Sequence, residues 1–262
     1  MTIPLDILNI WDSFLLVFIR VTGLFVVSPV FGRQNIPAYY KIGFSFFTAV
    51  ILSYSIPVPG TGAYNSIFAF FLLVAKEFMI GLILGYISYL IITAIYLAGQ
   101  MIDMHIGFGM VNVLDPVSNI QIPVTADLYF ILTLLIFLAI DGHHLLIYTL
   151  SESFSRLPVG STIIMEKPLF DSVVRLFGSV FVISFKIAAP VTAAILVVDV
   201  ALGVIAKAVP QVNVFIVGLP IKILIGLLVI FLTLTAFRNI VHVLTDGMQS
   251  EMTNFIDLIK GD

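Results

Sequence analysis

Residues 78–102 read FMIGLILGYISYLIITAIYLAGQMI, a run without one charged side chain. About 20 mostly apolar residues in helical form cross the hydrocarbon core of a bilayer, so this stretch alone puts a membrane helix in the chain. Working outward, a second charge-free run covers residues 42–75. The composition agrees: of 262 residues, 60% are hydrophobic and 10% charged, with a mean hydropathy of +1.17. Soluble domains hold about 45–50% apolar and about 25% charged residues. One or two soluble cores cannot hide this much apolar surface, and intrinsic disorder is excluded for the same reason. The expected fold class is all-α, built of hydrophobic membrane-protein helices.

Six segments are candidates to cross: 13–31, 42–56, 67–98, 128–150, 176–206 and 212–237. The second is short, the third has room for two helices with a break, and Lys76–Glu77 near the start of the third suits an internal ion pair. Proline and glycine separate the segments: Pro29 to Pro37, Pro57 to Gly60, Gly107 to Pro123, Pro158 to Pro168, and Pro210. No basic region or small-residue cleavage site marks a signal peptide, and Asp6 and Asp12 precede the first apolar run, which is expected to stay in the mature chain. Basic residues in alternate connections leave no decisive excess on one side, so the positive-inside rule does not orient the chain.

Several charges fall where lipid is expected: Arg20 in the first segment, Asp141 in the fourth, Lys186 and Asp199 in the fifth, Lys222 in the sixth. A charge at the bilayer centre costs at least about 2.5–3.5 kcal/mol. These groups pair within the chain, face water, are covered by neighbouring subunits, or snorkel from span ends. Snorkelling suits Arg20 and Lys222 better than Lys186, which has long apolar flanks. Gly81 and Gly85 form a GxxxG step that permits close helix contact.

The segment 106–123 is unusual. Gly107, Gly109, Pro116 and Pro123 break a continuous helix, yet Phe108, Met110, Val111, Val113 and Leu114 are large and apolar, and no Lys or Arg is present. Irregular backbone at membrane depth is tolerated only where protein buries it or it lines a cavity. The segment therefore reads as a re-entrant or pore-occluding loop, with a packed surface connector as the alternative. Asp103, Asp115 and Asp127 read as its anchors or flanks. Beyond residue 238, Leu244, Met248, Met252, Phe255 and Ile259 recur at three and four residues between charged ones. That is an amphipathic helix, placed on the membrane or on a partner.

Enzymatic chemistry finds no support. There are no cysteines, and HExxH, GxSxG and P-loop patterns are absent. His143 and His144 are sequence neighbours, which on a helix sends their rings to different faces, so that they cannot both bind one metal there. Asp141 and Asp199 have no flanking pattern of an aspartyl pair. The net charge of −3 gives no reason to expect nucleic acid. No metal or cofactor is expected. A stand-alone proton-coupled carrier or channel remains open, because such carriers need acids inside spans and broken helices.

Three stretches together resemble the FliR family of flagellar type III export proteins, which has injectisome relatives. The first is Arg20-x-x-Gly23 with Ser28-Pro29, Ile36-Pro37 and Lys41. The second is Ala98-Gly99-Gln100-Met101-Ile102-Asp103 with Gly107-Phe108 and Asp115-Pro116. The third runs from Ala208-Val209-Pro210-Gln211-Val212-Asn213 through Gly218-Leu219-Pro220-Ile221-Lys222 and is similar to the flagellar branch. The resemblance implies a subunit that joins FliP and FliQ homologues in an export gate, with an FlhB homologue associated. It implies a bacterial inner-membrane site in the flagellar basal body, a core raised toward the periplasm, and unfolded flagellar proteins as substrate. It divides the chain into a FliP-like part at 1–175, a FliQ-like hairpin at 176–238 and the tail at 239–262. Gly107, Phe108, Gly109, Met110, Val111, Val113 and Leu114 then belong to a plug. Arg20, Lys186, Asp199, Gln211, Asn213 and Lys222 become candidates for subunit interfaces.

Overall fold

The structure is a computed structural model that describes residues 5–33, 36–54, 56, 66–108, 123–161, 167–211 and 213–260. Its regular elements are helices, with no strand among the described residues. They are α1 (Leu5–Val27), α2 (Ala38–Ser53), α3 (Ile67–Ile106), α4 (Val124–Ala139), α5 (Gly142–Arg156), α6 (Lys167–Ala208) and α7 (Val214–Lys260). The all-α expectation holds. Proline sets two of the starts: extended Pro37 precedes α2 and extended Pro123 precedes α4, because proline removes a donor that the first turn leaves unused anyway. Three helices are each long and apolar enough to cross a membrane, α3, α6 and α7, and α4 with α5, bent by 68° at their break, together qualify as a broken span or a re-entrant loop. The chain is an all-α membrane protein.

Three boundaries differ from the sequence reading. The third segment has no break: α3 runs 40 residues as one helix, since neither proline nor a positive φ interrupts it. Segment 128–150 does break, at Asp141, whose φ of 59° lies in the left-handed region that ends a helix. The sequence marks that point with the polar run Asp141-Gly142-His143-His144, which the single-segment reading passed over. The tail is no separate helix, because α7 continues unbroken across residue 238 to Lys260.

By contacts the chain falls into two compact units, each drawn from distant segments. Unit 1 takes residues 1–90, 141–176 and 245–262. Here α1 lies against the first half of α3 at backbone distance. A Cβ on Gly81 would collide with the carbonyl oxygen of Arg20, and one on Gly85 would stand 2.7 Å from that of Leu24. The GxxxG step is thus a helix contact inside the chain. Phe14 and Phe18 of α1 meet Phe46 of α2 edge-on, as Phe25 meets Phe44. The apolar stripe of the tail is buried within this chain: Met248, Met252, Phe255 and Ile259 are almost wholly covered. Arg156 of α5 donates to both carboxylate oxygens of Asp257 at 2.9 and 2.8 Å, so the stripe docks at home rather than on lipid.

Unit 2 takes residues 91–140 and 177–244. Ser184 of α6 donates to the Ala94 carbonyl of α3 at 2.8 Å, and Tyr129 of α4 lies 4.9 Å from Phe237 of α7. The approaches of α6 and α7 run in opposite order along the two helices: Ile195 near Gly226, Asp199 on Lys222, Leu202 near Gly218. The two stretches are therefore antiparallel, joined by the turn at Pro210–Gln211.

Candidate functional site

Four groupings of polar residues stand out against the apolar background. The first is buried in unit 1. Arg20 and Glu77 both have fully buried side chains, and Arg20 Nη2 lies 2.6 Å from Glu77 Oε2. Arg20 Nε donates to the same oxygen at 2.6 Å. Nη1 donates to the carbonyl and hydroxyl oxygens of Ser153, both at 3.2 Å, and Nη1 and Nη2 donate to the Leu157 carbonyl at 3.1 Å. The guanidinium carbon stands 4.1 Å from the centre of the Phe154 ring. The chemistry is local. The Ser153 carbonyl accepts from the Leu157 amide at 2.9 Å and has room for a second donor, and the Leu157 carbonyl lies past the end of α5. Both carry the partial negative charge of a helix C-terminus, and a guanidinium fork supplies five donors in one plane. Arg20 closes that helix end while Glu77 neutralises it. Glu77, read from sequence as the partner of Lys76, makes its hydrogen-bonded ion pair with Arg20, while its charge also acts on Lys76 beside it.

The second grouping holds the ends of the apolar loop, inside unit 2. Buried Asp103, near the end of α3, accepts from the Thr125 amide at 2.9 and 3.2 Å and from the Ala126 amide at 3.2 Å. It does for α4 what an N-cap side chain does, although Pro123 occupies the cap position and has none to offer. Gly99, one turn earlier, lets the Ala126 backbone approach where a Cβ would collide. Gly107 then leaves α3 with φ of 98°, a conformation glycine adopts freely. Of the plug candidates, Gly107 and half-buried Phe108 are described. Gly109, Met110, Val111, Val113 and Leu114 lie outside the described residues, as does Asp115. Asp127 is exposed in the first turn of α4. Asp103→Ala is expected to free the two amides and cost about 1–2 kcal/mol, the upper range for a lost cap. Hydrogen exchange should then speed up at Thr125 and Ala126 while α6 stays protected. Unchanged exchange at both amides would contradict the clamp.

The third grouping is on α6 and α7. Lys222 forms an ion pair with Asp199, with side-chain exposures of 25% and 46%. Two of the mid-segment charges thus answer each other within the chain. Lys186 is exposed between apolar neighbours, with Phe185 exposed beside it. Gln211 is exposed in the turn, and the Asn213 carbonyl accepts from the Ile216 and Val217 amides at 3.1 and 3.3 Å to start α7.

The fourth is Asp141, His143 and His144 at the break before α5. The rings of His143 and His144 lie 4.1 Å apart, and His144 Nδ1 is 3.3 Å from Asp141 Oδ1. The expectation that these rings diverge is overturned. In the first turn after a left-handed residue, both rings lie beside the Asp141 carboxylate.

Sequence reasoning found Arg20 but missed Ser153 and Leu157. Their part is played by backbone carbonyls and one small hydroxyl, which carry no residue-type signal.

The family model for bacterial export proteins, family 1, matches residues 11–248. The chain is 35% identical over 256 residues to the flagellar biosynthetic protein FliR of Bacillus subtilis, covering 97% of this chain and 98% of that one. It is 30% identical to the protein of the same name from Pectobacterium carotovorum, covering 87% of each. With FliR of Escherichia coli it shares 27% identity over 209 residues, 80% of this chain and 79% of that one. A membrane protein matched along nearly its whole length in this way belongs to the bacterial export protein family 1, among its flagellar FliR members.

Proposed function

We propose that this chain is a non-enzymatic subunit of the flagellar type III export gate. It joins FliP and FliQ homologues in the bacterial inner membrane, within the flagellar basal body, with an FlhB homologue associated and the core raised toward the periplasm. Unfolded flagellar proteins pass through the channel so formed, and the loop at 106–123 plugs it between passages. The observation that carries this reading is the mismatch between apolar length and cover. In the most apolar stretches of α3, α6 and α7 only 28%, 28% and 17% of residues are buried by the chain itself. Lipid suits such a surface until it meets Lys186 and the part-exposed Asp199–Lys222 pair, where it is a costly neighbour. Protein partners that bring polar groups cover both kinds of surface. The flagellar names of the relatives favour the flagellar gate over its injectisome counterpart.

Native mass spectrometry after gentle solubilisation tests the reading. A mixed complex containing FliP and FliQ homologues supports the gate; a stable monomer or homodimer supports the stand-alone carrier. Within the complex, Lys222→Ala is expected to lower recovery of partners in a pull-down several-fold more than Lys260→Ala. The first leaves the half-exposed Asp199 without its paired ammonium, whereas Lys260 is exposed at the end of α7. Equal recovery from the two variants argues against an interface at Lys222.

A further inference from the structure

The break between α4 and α5 carries Asp141-Gly142-His143-His144, which the gate reading leaves unused. One ligand atom from each of Asp141, His143 and His144 lies within 4.8 Å of the other two. Three local observations set this apart from a chance grouping. Asp141 occupies the N-cap position of α5, yet its side chain makes no capping hydrogen bond and its carboxylate instead faces His144 Nδ1. It is the one non-glycine residue with positive φ among those described, and such strain collects at ligand sites and switches. His143 Nδ1 is buried and has no hydrogen-bond partner among the described residues, an unmet demand for a proton or a metal.

We propose that Asp141, His143 and His144 form a binding site for one divalent late first-row transition-metal ion of the zinc class. Two imidazole nitrogens and a carboxylate oxygen are the donors such ions take, whereas calcium and magnesium take oxygen. Bonds of about 2.0–2.2 Å around a tetrahedral centre separate donor atoms by about 3.4 Å. The three groups reach that spacing by closing up to about 1.4 Å from separations within 4.8 Å, and the side chains of His144 and Asp141 are 69% and 73% exposed and free to swing. Three protein ligands leave a coordination position open to water or to a group from another chain. The α5 N-terminus repels a bare cation, and the Asp141 carboxylate offsets this.

Cobalt(II) is the probe, because its tetrahedral complexes absorb in the visible and zinc displaces it. The full chain is solubilised with whatever proteins it is recovered with, on a tag that lacks histidine, and titrated. One equivalent of cobalt per chain is expected, displaced by zinc. His144→Ala and Asp141→Asn should each weaken binding at least tenfold. Asparagine tolerates the left-handed backbone and alanine replaces an exposed ring, so both variants keep the fold. His105→Ala and His242→Ala should leave the affinity unchanged. The proposal is overturned by the absence of saturable cobalt binding, by binding that survives both His144→Ala and Asp141→Asn, or by binding that His105→Ala or His242→Ala removes. The readout needs no export activity, so it stands or falls separately from the gate.

Discussion

Arg20→Ala should leave almost no folded protein in the membrane. The substitution removes a fully buried guanidinium and leaves a fully buried Glu77 carboxylate without its counter-charge. Breaking one side of a buried ion pair costs about 3–5 kcal/mol, a large part of the about 5–15 kcal/mol that holds an ordinary domain together. The Leu157 carbonyl loses both guanidinium donors and the Ser153 carbonyl keeps the Leu157 amide alone, so the C-terminal end of α5 loosens as well. Glu77→Ala should be nearly as harmful. Arg20→Lys should rescue little, since one ammonium cannot reach Glu77, Ser153 and Leu157 together. The double variant Arg20→Met, Glu77→Leu is the informative control. It removes both charges and fills the volume, so it should recover part of what either single change to alanine loses. Cellular level and thermal unfolding in detergent measure all four. Single variants as stable as the parent would show that this pair does not hold unit 1 together.

The helical class was legible because it depends on counting: a chain so poor in charge has few other ways to satisfy its backbone in lipid. What was not legible depends on which residues meet. The amphipathic stripe at 244–259 announces that an apolar face is buried, but the pattern is the same whether lipid, a partner or this chain covers it. The answer required Arg156 and Asp257 to come together across 101 positions. The same holds for Glu77, which has Lys76 beside it in sequence and Arg20 beside it in space, 57 positions away.

The candidate site divides along similar lines. In sequence Asp103 reads as an anchor or flank of the loop, and in the structure it caps α4. Asp199 and Lys222 read as charges that need cover. Their pairing follows from the hairpin, which sets residues equidistant from the turn side by side. The histidines at the break went the other way. Helical periodicity sends neighbours to different faces, but that argument assumes regular backbone, and Asp141 departs from it.

Deleting residues 109–114 is expected to leave the export complex assembled and make the membrane leaky to ions and small metabolites. Assembly should survive because the deletion spares both ends of the loop. Asp103 still holds the Thr125 and Ala126 amides, Gly99 still admits α4 against α3, and Gly107 still turns the chain out of α3. Leakage should follow from what is lost: Met110, Val111, Val113 and Leu114 supply bulk without charge. An apolar constriction stops ions by dewetting and needs no charged latch. Methionine adds a flexible, polarizable chain that fills an irregular gap and yields to varied substrates. Uptake of a small impermeant dye, or growth arrest in medium of altered ion content, reads the leak, and co-purification of partners reads assembly. Asp103→Ala supplies an intermediate case, with the loop's apolar bulk intact but its tether cut, and should leak less than the deletion. An assembled deletion complex that stays fully tight would mean that the loop is a packed connector and that the seal lies elsewhere in the gate.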